Sequence, residues 1–351
     1  MRKDIYRVLM KAAKEVDSKL QDRKDSYSAL LSNLKPDYSG SDLSEPTDLP
    51  ADYYASSILV KIPNVLAYLE VYAYIIANAM PSKDLEDISM LDFGGGAGFM
   101  SLLAKQAGIG SVVYHDRDPG AHARAQVIGE ALSLQADQYL CGTEDILREH
   151  PARFDSIVSS DVLEHVYDPR NVIKCWAAAS APGAKMFHQT GANSRNLHQR
   201  WWLSKLQRES EQRYILKSRQ DLIGGYAQTL SQEEIGLLAQ KTRGLDANDI
   251  KTAVDNYLVS QKIPEPEHPT NTCEINGYWI ERFMEPQDVA DLCNENGFDA
   301  EVRGSRWGIG KSRFLPATIK RACNLLALTS IWISLRVTFY YCIAAEKKLA
   351  D

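Results

Sequence analysis

The chain has 351 residues, a formal net charge of −6, 44% hydrophobic and 25% charged residues, values that allow a sizeable core without staples. The acidic balance, with no dense basic run, argues against tight nucleic-acid binding driven by phosphate neutralisation. Six scattered cysteines form no Cys-x-x-Cys pair or Cys/His ligand cluster, so no metal is expected and a reducing, cytoplasmic setting is the simplest one.

The elements follow in chain order. Ile5, Val8, Leu9, Ala12, Val16 and Leu20 recur at helical spacing. Residues 37–50, rich in Ser, Asp, Pro and Gly, predict a linker. Residues 51–80 resume an apolar, tyrosine-rich helix containing Tyr53, Tyr54, Tyr68, Tyr72 and Tyr74, so 1–80 is expected as a helical lead-in.

From residue 88 strands and helices alternate. Strands are expected at 88–93, 111–115, 138–141, 154–159 and 184–189, with helices at 99–106, 121–134 and 169–179. Such alternation predicts a parallel, doubly wound α/β sheet over a core of 81–190. Residues 191–277 then read as a helical, polar insertion, with Ser231 and Glu234 as a capping box and 262–272 as a proline-rich loop. The remainder, 278–351, returns to the sheet, with a helix opened by Pro286 and strands at 298–302 and 337–345, for seven strands in all. Between these strands an apolar helix is expected near 316–335. Its uncharged stretch, 322–335, is shorter than the roughly 18 residues of a spanning helix, so packing is expected, with peripheral membrane contact as the alternative.

The strand ending in Gly94-Gly95-Gly96-Ala97-Gly98 and running into a helix suits a ligand that approaches backbone closely at the strand's carboxyl end. A dinucleotide G-x-G-x-x-G frame fails, because Phe99, or Ala97 and Met100, stand where glycines are needed. No Gly-Lys-Ser/Thr follows, which excludes a P-loop.

Leu91-Asp92-Phe93-Gly94-Gly95-Gly96-Ala97-Gly98 resembles the first motif of class I S-adenosylmethionine-dependent methyltransferases, and the run from Phe154 through Asp161-Val162-Leu163-Glu164-His165-Val166 resembles their fourth-strand motif. Ala181-Pro182-Gly183-Ala184, Gly277-Tyr278-Trp279-Ile280-Glu281-Arg282-Phe283 and Asn296-Gly297-Phe298 resemble later segments of the same family. The likeness covers about 88–190 and 277–346 and implies a Rossmann-like methyltransferase fold with S-adenosylmethionine as cofactor. It implies that Asp92 and Gly94, Gly95, Gly96 and Gly98 shape the methionine end of the pocket. Asp116, with Arg117 beside it, would meet the ribose, Glu144 or Asp145 the adenine, and Ser160 and Asp161 the mouth. The usual Gly-Asp pair before the adenine acid is replaced here by Cys141-Gly142. Asp118 competes with Asp116 as a helix cap.

A hydroxyl acceptor benefits from a general base, for which His165 is the candidate. His188, Arg195, His198, Trp201 and Trp202 are expected at an acceptor site covered by the insertion, although the tryptophans also suit packing. The acceptor is expected to be a small molecule or glycan, methylated on oxygen. A lipid-linked or quinone-like acceptor and a non-catalytic scaffold are the alternatives, and a homodimer is open.

Overall fold

The computed structural model describes residues 2–23, 30–31, 34–39, 61–262, 270–305, 317–327 and 329–349. Tyr53, Tyr54, positions 40–50 of the expected linker and 263–269 of the proline-rich loop lie outside them.

Helices α1 (Lys3–Asp22) and α2 (Val65–Ala79) precede β1 (Ser89–Phe93). Then come α3 (Phe99–Gln106), β2 (Ser111–Asp116), α4 (Pro119–Leu132), β3 (Gln138–Cys141), β4 (Phe154–Ser160), α5 (Pro169–Ala179) and β5 (Ser180–Thr190). The insertion holds α6 (Leu197–Ser210), α7 (Leu216–Tyr226), α8 (Gln232–Lys241) and α9 (Ala247–Ser260), closed by a small hairpin of β6 (Thr272–Cys273) and β7 (Ile280–Glu281). The chain finishes with α10 (Pro286–Glu295), β8 (Phe298–Gly304), α11 (Ala317–Ala327), α12 (Ile331–Val337) and β9 (Tyr341–Lys347).

Seven strands form one sheet in the order β3-β2-β1-β4-β5-β9-β8, parallel except for β9, which runs antiparallel to β5 and β8. The crossover between β1 and β4 opens a crevice at their carboxyl ends. β1 shows why it is central: Met90 feeds the core on one face and Leu91 and Phe93 the core on the other. The first face is covered by α1, α2, α3 and α4, with Leu9, Leu69, Ile76 and Leu103 buried together. The N-terminal helices are thus a layer of the sheet's own core, because α1 packs on α2 and α3, and α2 crosses β4 and β5. The second face is covered by α5 and α10 around Trp176.

Helix starts follow the sequence closely. Pro119, Pro169 and Pro286 each occupy a first turn, where a missing N–H costs nothing. Asp118, Asp168 and Asp246 cap α4, α5 and α9, and the Ser231–Glu234 capping box opens α8. Helices α7 to α9 enclose a separate small core around Ile223, Leu238 and Val254.

Two expectations near the C-terminus are corrected. The apolar stretch is two helices rather than one, because the Ser330 hydroxyl accepts from the Trp332 amide and starts α12 afresh. The last strand begins at Tyr341 rather than 337, since Val337 ends α12 and residues 338–340 leave the sheet for the crevice. Strand formers there serve as wall rather than ladder.

Candidate active site

At the end of β1 the Phe93 ring stacks on His115, 4.4 Å between centroids. The chain then turns through left-handed Gly94 (φ 67°) and Gly96 (φ 56°). A Cβ built on Gly94 would lie 2.5 Å from Val162, whereas one on Gly96 meets nothing within 4 Å, so that position opens into the crevice. A Cβ on Gly95 would lie 2.5 Å from the fully buried Tyr114 ring, whose hydroxyl donates to the Gly96 carbonyl at 2.7 Å. Gly95→Ala is therefore expected to destabilise the fold by ~1–3 kcal/mol, read as a lower urea midpoint, because the overpacked ring has no space to retreat into. Gly98 does not line the crevice; its missing Cβ lets α3 approach Ala125 of α4.

Two carboxylates flank the turn. Asp92 is fully buried beneath it, accepts from the Ser101 hydroxyl at 2.7 Å, and is pushed up to about 7 by burial. Asp116, at the end of β2, lines the crevice and accepts from the amides of Gly96 and Asp118, each at 2.9 Å. Burial pushes it up to about 6. Asp118 is the α4 cap, accepting from Gly120 and Ala121 and pairing with Arg124 at 3.0 Å, and it lines the crevice beside Asp116 as well.

Past β4, Asp161 takes a left-handed backbone (φ 53°), and its carboxylate accepts from the Gly191 amide at 2.8 Å. Glu164 is only 3% exposed and accepts from the Thr190 hydroxyl at 2.5 Å, while its other oxygen is buried with no hydrogen-bond partner. Burial pushes this carboxyl up to about 8. A carboxyl raised from about 4.5 stabilises the fold fully below that pH, and the contribution disappears as pH climbs towards 8. Glu164→Gln keeps an acceptor for Thr190 but cannot ionise. It is expected to unfold at higher urea than wild type above pH 8, by on the order of 3 kcal/mol, with little difference at pH 5.

His165 places Nδ1 2.6 Å from the Ile280 carbonyl of β7. A carbonyl only accepts, so Nδ1 carries the proton and Nε2 keeps a free lone pair. Burial disfavours the imidazolium, but Glu164, Glu281, the Ile280 carbonyl and Asp161 outweigh it and raise His165 above the ordinary imidazole range. The hairpin that supplies Ile280 is anchored by Arg282, which donates to the carbonyls of Val166 and Tyr167.

A crevice of about 670 Å³ lies between these elements. Gly94, Gly95, Gly96, Asp116, Arg117, Glu144, Ser160, Asp161 and His165 line it. Glu144 also accepts from Asn171 at 2.7 Å. Asp145 faces outward and pairs with Arg148, so of the two adenine candidates only Glu144 reaches the crevice. None of the five residues expected at the acceptor site, His188, Arg195, His198, Trp201 and Trp202, lines the crevice. His188 is fully buried within the sheet beside Trp176 and hydrogen-bonded to Ser159 at 2.7 Å. Arg195 pairs with Glu285 at 2.7 Å. His198 stacks behind Phe339, and Trp201 and Trp202 project into solvent. No described residue of 191–277 lines the crevice. The wall opposite the glycine turn comes instead from Tyr68 and Tyr72 of α2, Trp279, and Thr338, Phe339 and Tyr340. Sequence reading missed this wall, although Tyr68 and Tyr72 at i, i+4 beside Ala67 and Val71 form a second aromatic stripe that burial alone does not need.

Residues 68–234 match the family model of a methyltransferase domain, and they contain the glycine turn, Asp116 and His165. Residues 68–234 are a methyltransferase domain. Methyltransferases of this class draw their methyl group from S-adenosylmethionine. The chain is 35% identical over 107 residues to a ubiquinone biosynthesis O-methyltransferase of Xylella fastidiosa, a match covering 30% of this chain and 43% of that protein. The human mitochondrial ubiquinone biosynthesis O-methyltransferase is 29% identical over 120 residues, 33% of this chain and 32% of that protein. The chain therefore spans less than half the length of the curated relatives it matches. Among solved structures, an S-adenosylmethionine-dependent methyltransferase from Mesorhizobium loti is 14% identical with a TM-score of 0.41, over 80% of this chain and 98% of that one.

Proposed function

We propose that this protein transfers a methyl group from S-adenosylmethionine to a hydroxyl of a small, ring-bearing acceptor. The observation that carries the reading is the meeting, in one crevice, of the Gly94–Gly96 turn and Asp116 with a histidine whose Nε2 is left as an acceptor.

The residues present fit the cofactor. The crevice opens where a Gly96 Cβ would stand, and the Asp116 carboxylate, held by two backbone amides, retains lone pairs for the two ribose hydroxyls. Glu144 supplies an acceptor for the adenine amine. When bound, S-adenosylmethionine supplies a methyl carbon activated by a positively charged sulfur. The acid-lined crevice suits that charge, with Asp116 and Asp161 in its walls. His165 takes the acceptor's hydroxyl proton on Nε2 as the oxygen attacks, and Ile280 fixes the ring in the tautomer that permits this. The Tyr68, Tyr72, Phe339 and Tyr340 side chains exclude water and offer flat apolar surface to a ring.

The printed activity of the curated relatives, O-methylation in ubiquinone biosynthesis, favours a phenolic ring; an aromatic wall also suits the apolar face of a sugar. A labelled-methyl assay against panels of catechols, hydroxylated quinone precursors and glycans, with mass spectrometry of products, tests the proposal. A methyl ether on a catechol-type ring is the expected product. Failure to bind either S-adenosylmethionine or S-adenosylhomocysteine by calorimetry would refute it.

A further inference from the structure

The helical insertion keeps its described residues out of the crevice wall, yet it reaches His165. The hairpin that closes it runs beside the loop after β4, and the contacts advance in step. The Ile280 carbonyl accepts from His165 Nδ1 at 2.6 Å. Two residues further on, Arg282 donates to the carbonyls of Val166 and Tyr167, which directly follow His165.

The hairpin in turn is held by α9. Cys273 pairs with Ile280 in the ladder, and the Ala247 amide donates to the Ile275 carbonyl at 2.9 Å. The Tyr167 hydroxyl donates to Asp249. Ala247 and Asp249 both stand in the first turn of α9, whose Ile250 and Val254 are fully buried in the separate core of α7 to α9. The loop carrying His165 is therefore tied, through the hairpin and through Tyr167, to a platform with a core of its own.

Two features give this tie a chemical purpose. A neutral imidazole carries its proton on either nitrogen, and the partner of one nitrogen decides what the other can do. For His165 that partner is the Ile280 carbonyl. Arg282 is the second feature. Burial pushes its pKa down, and its Nε is buried with no hydrogen-bond partner. A cation is unfavourable in such a place. What it supplies that an apolar side chain cannot is a grip on two carbonyls in succession.

We infer that the insertion holds the base rather than covering the acceptor: α9 and the hairpin, clamped by Arg282, keep the Ile280 carbonyl on Nδ1 and so leave Nε2 to take the proton. Arg282 is a positioning residue that acts through Ile280. The inference rests on His165 being the base of the proposed methyl transfer, but its first readout, the tautomer, needs no turnover.

The test is nitrogen-15 NMR of the full chain labelled at histidine, at alkaline pH where the imidazoles are neutral, with His165→Ala assigning the signal. Wild type is expected to carry the proton on Nδ1, and Arg282→Met to show a mixture of tautomers. In the same variant kcat should fall about tenfold or more, the scale of one hydrogen bond to a charged group, with S-adenosylhomocysteine affinity unchanged. Its kcat/KM profile should also level off at lower pH than wild type. The Ile280 carbonyl raises His165 together with Glu164, Glu281 and Asp161, and only the carbonyl is withdrawn. Arg282→Lys keeps a cation with a single point of attachment and should fall between the two in tautomer and in kcat. A proton on Nε2 in wild type overturns the inference. So does a wild-type tautomer in Arg282→Met, whether kcat is unchanged or falls equally at every pH, since Arg282 would then only stabilise the fold. If neither S-adenosylmethionine nor S-adenosylhomocysteine binds, the methyl-transfer reading fails instead, and the tautomer still reports on the clamp.

Discussion

Alanine at position 116 is expected to weaken S-adenosylhomocysteine binding about 100-fold or more by calorimetry, because hydrogen bonds to a charged group contribute ~1.5–3 kcal/mol each and two ribose hydroxyls lose theirs. The loss has a second source. The Asp116 carboxylate also accepts from Gly96 and Asp118, so its removal loosens the turn it is meant to face. Asp116→Asn separates the two, since it keeps an acceptor for one amide but presents N–H to the other; its affinity should fall between wild type and alanine. The carboxyl is pushed up to about 6 by burial, and only the ionised form accepts at both oxygens, so wild-type affinity should decline as pH drops through about 6. Wild-type affinity in the alanine variant would place the ribose elsewhere.

His165→Ala is expected to lower kcat by roughly 10²- to 10⁴-fold while leaving S-adenosylhomocysteine affinity unchanged, the signature of a lost general base. The base works deprotonated. Because the surrounding acids raise His165 above the ordinary imidazole range, kcat/KM should level off at higher pH than an unperturbed imidazole would give. Glu164→Gln removes one of those acids without touching the Ile280 hydrogen bond, so its profile should level off at lower pH than wild type. A residue that only held the loop in place would change activity at every pH alike. An unshifted profile in Glu164→Gln, or a wild-type kcat in His165→Ala, would count against the base.

The cofactor side of the crevice was legible in the sequence because its parts are local. The glycine turn joins one strand to one helix, Asp116 ends the next strand, and Asp161 to His165 follow β4 directly. Strand period and proline positions placed the sheet for the same reason, with α3, β3 and α5 found at their bounds. The acceptor side was not legible, because its wall is assembled from residues far apart in sequence: Tyr68, Trp279 and Tyr340 meet only through the sheet. Proximity in the chain misled there. His188 and His198 flank the end of β5, yet strand alternation turns the first into the core and helix phase turns the second behind Phe339. The break between α11 and α12 rests on one serine cap inside a continuous apolar run, a signal too small to outweigh hydropathy.

The place of β9 between β5 and β8 means that the sheet's order in space is not its order in time. On the ribosome, β1 to β5 leave the exit tunnel first and can pair as they appear, while β8 emerges with no neighbour to join until the segment behind it arrives. Tyr340 and the wall it completes come with that segment. A nascent chain therefore presents a formed glycine turn and an unfinished acceptor site, and the two halves of the crevice become one only once β9 has followed β8 out of the tunnel.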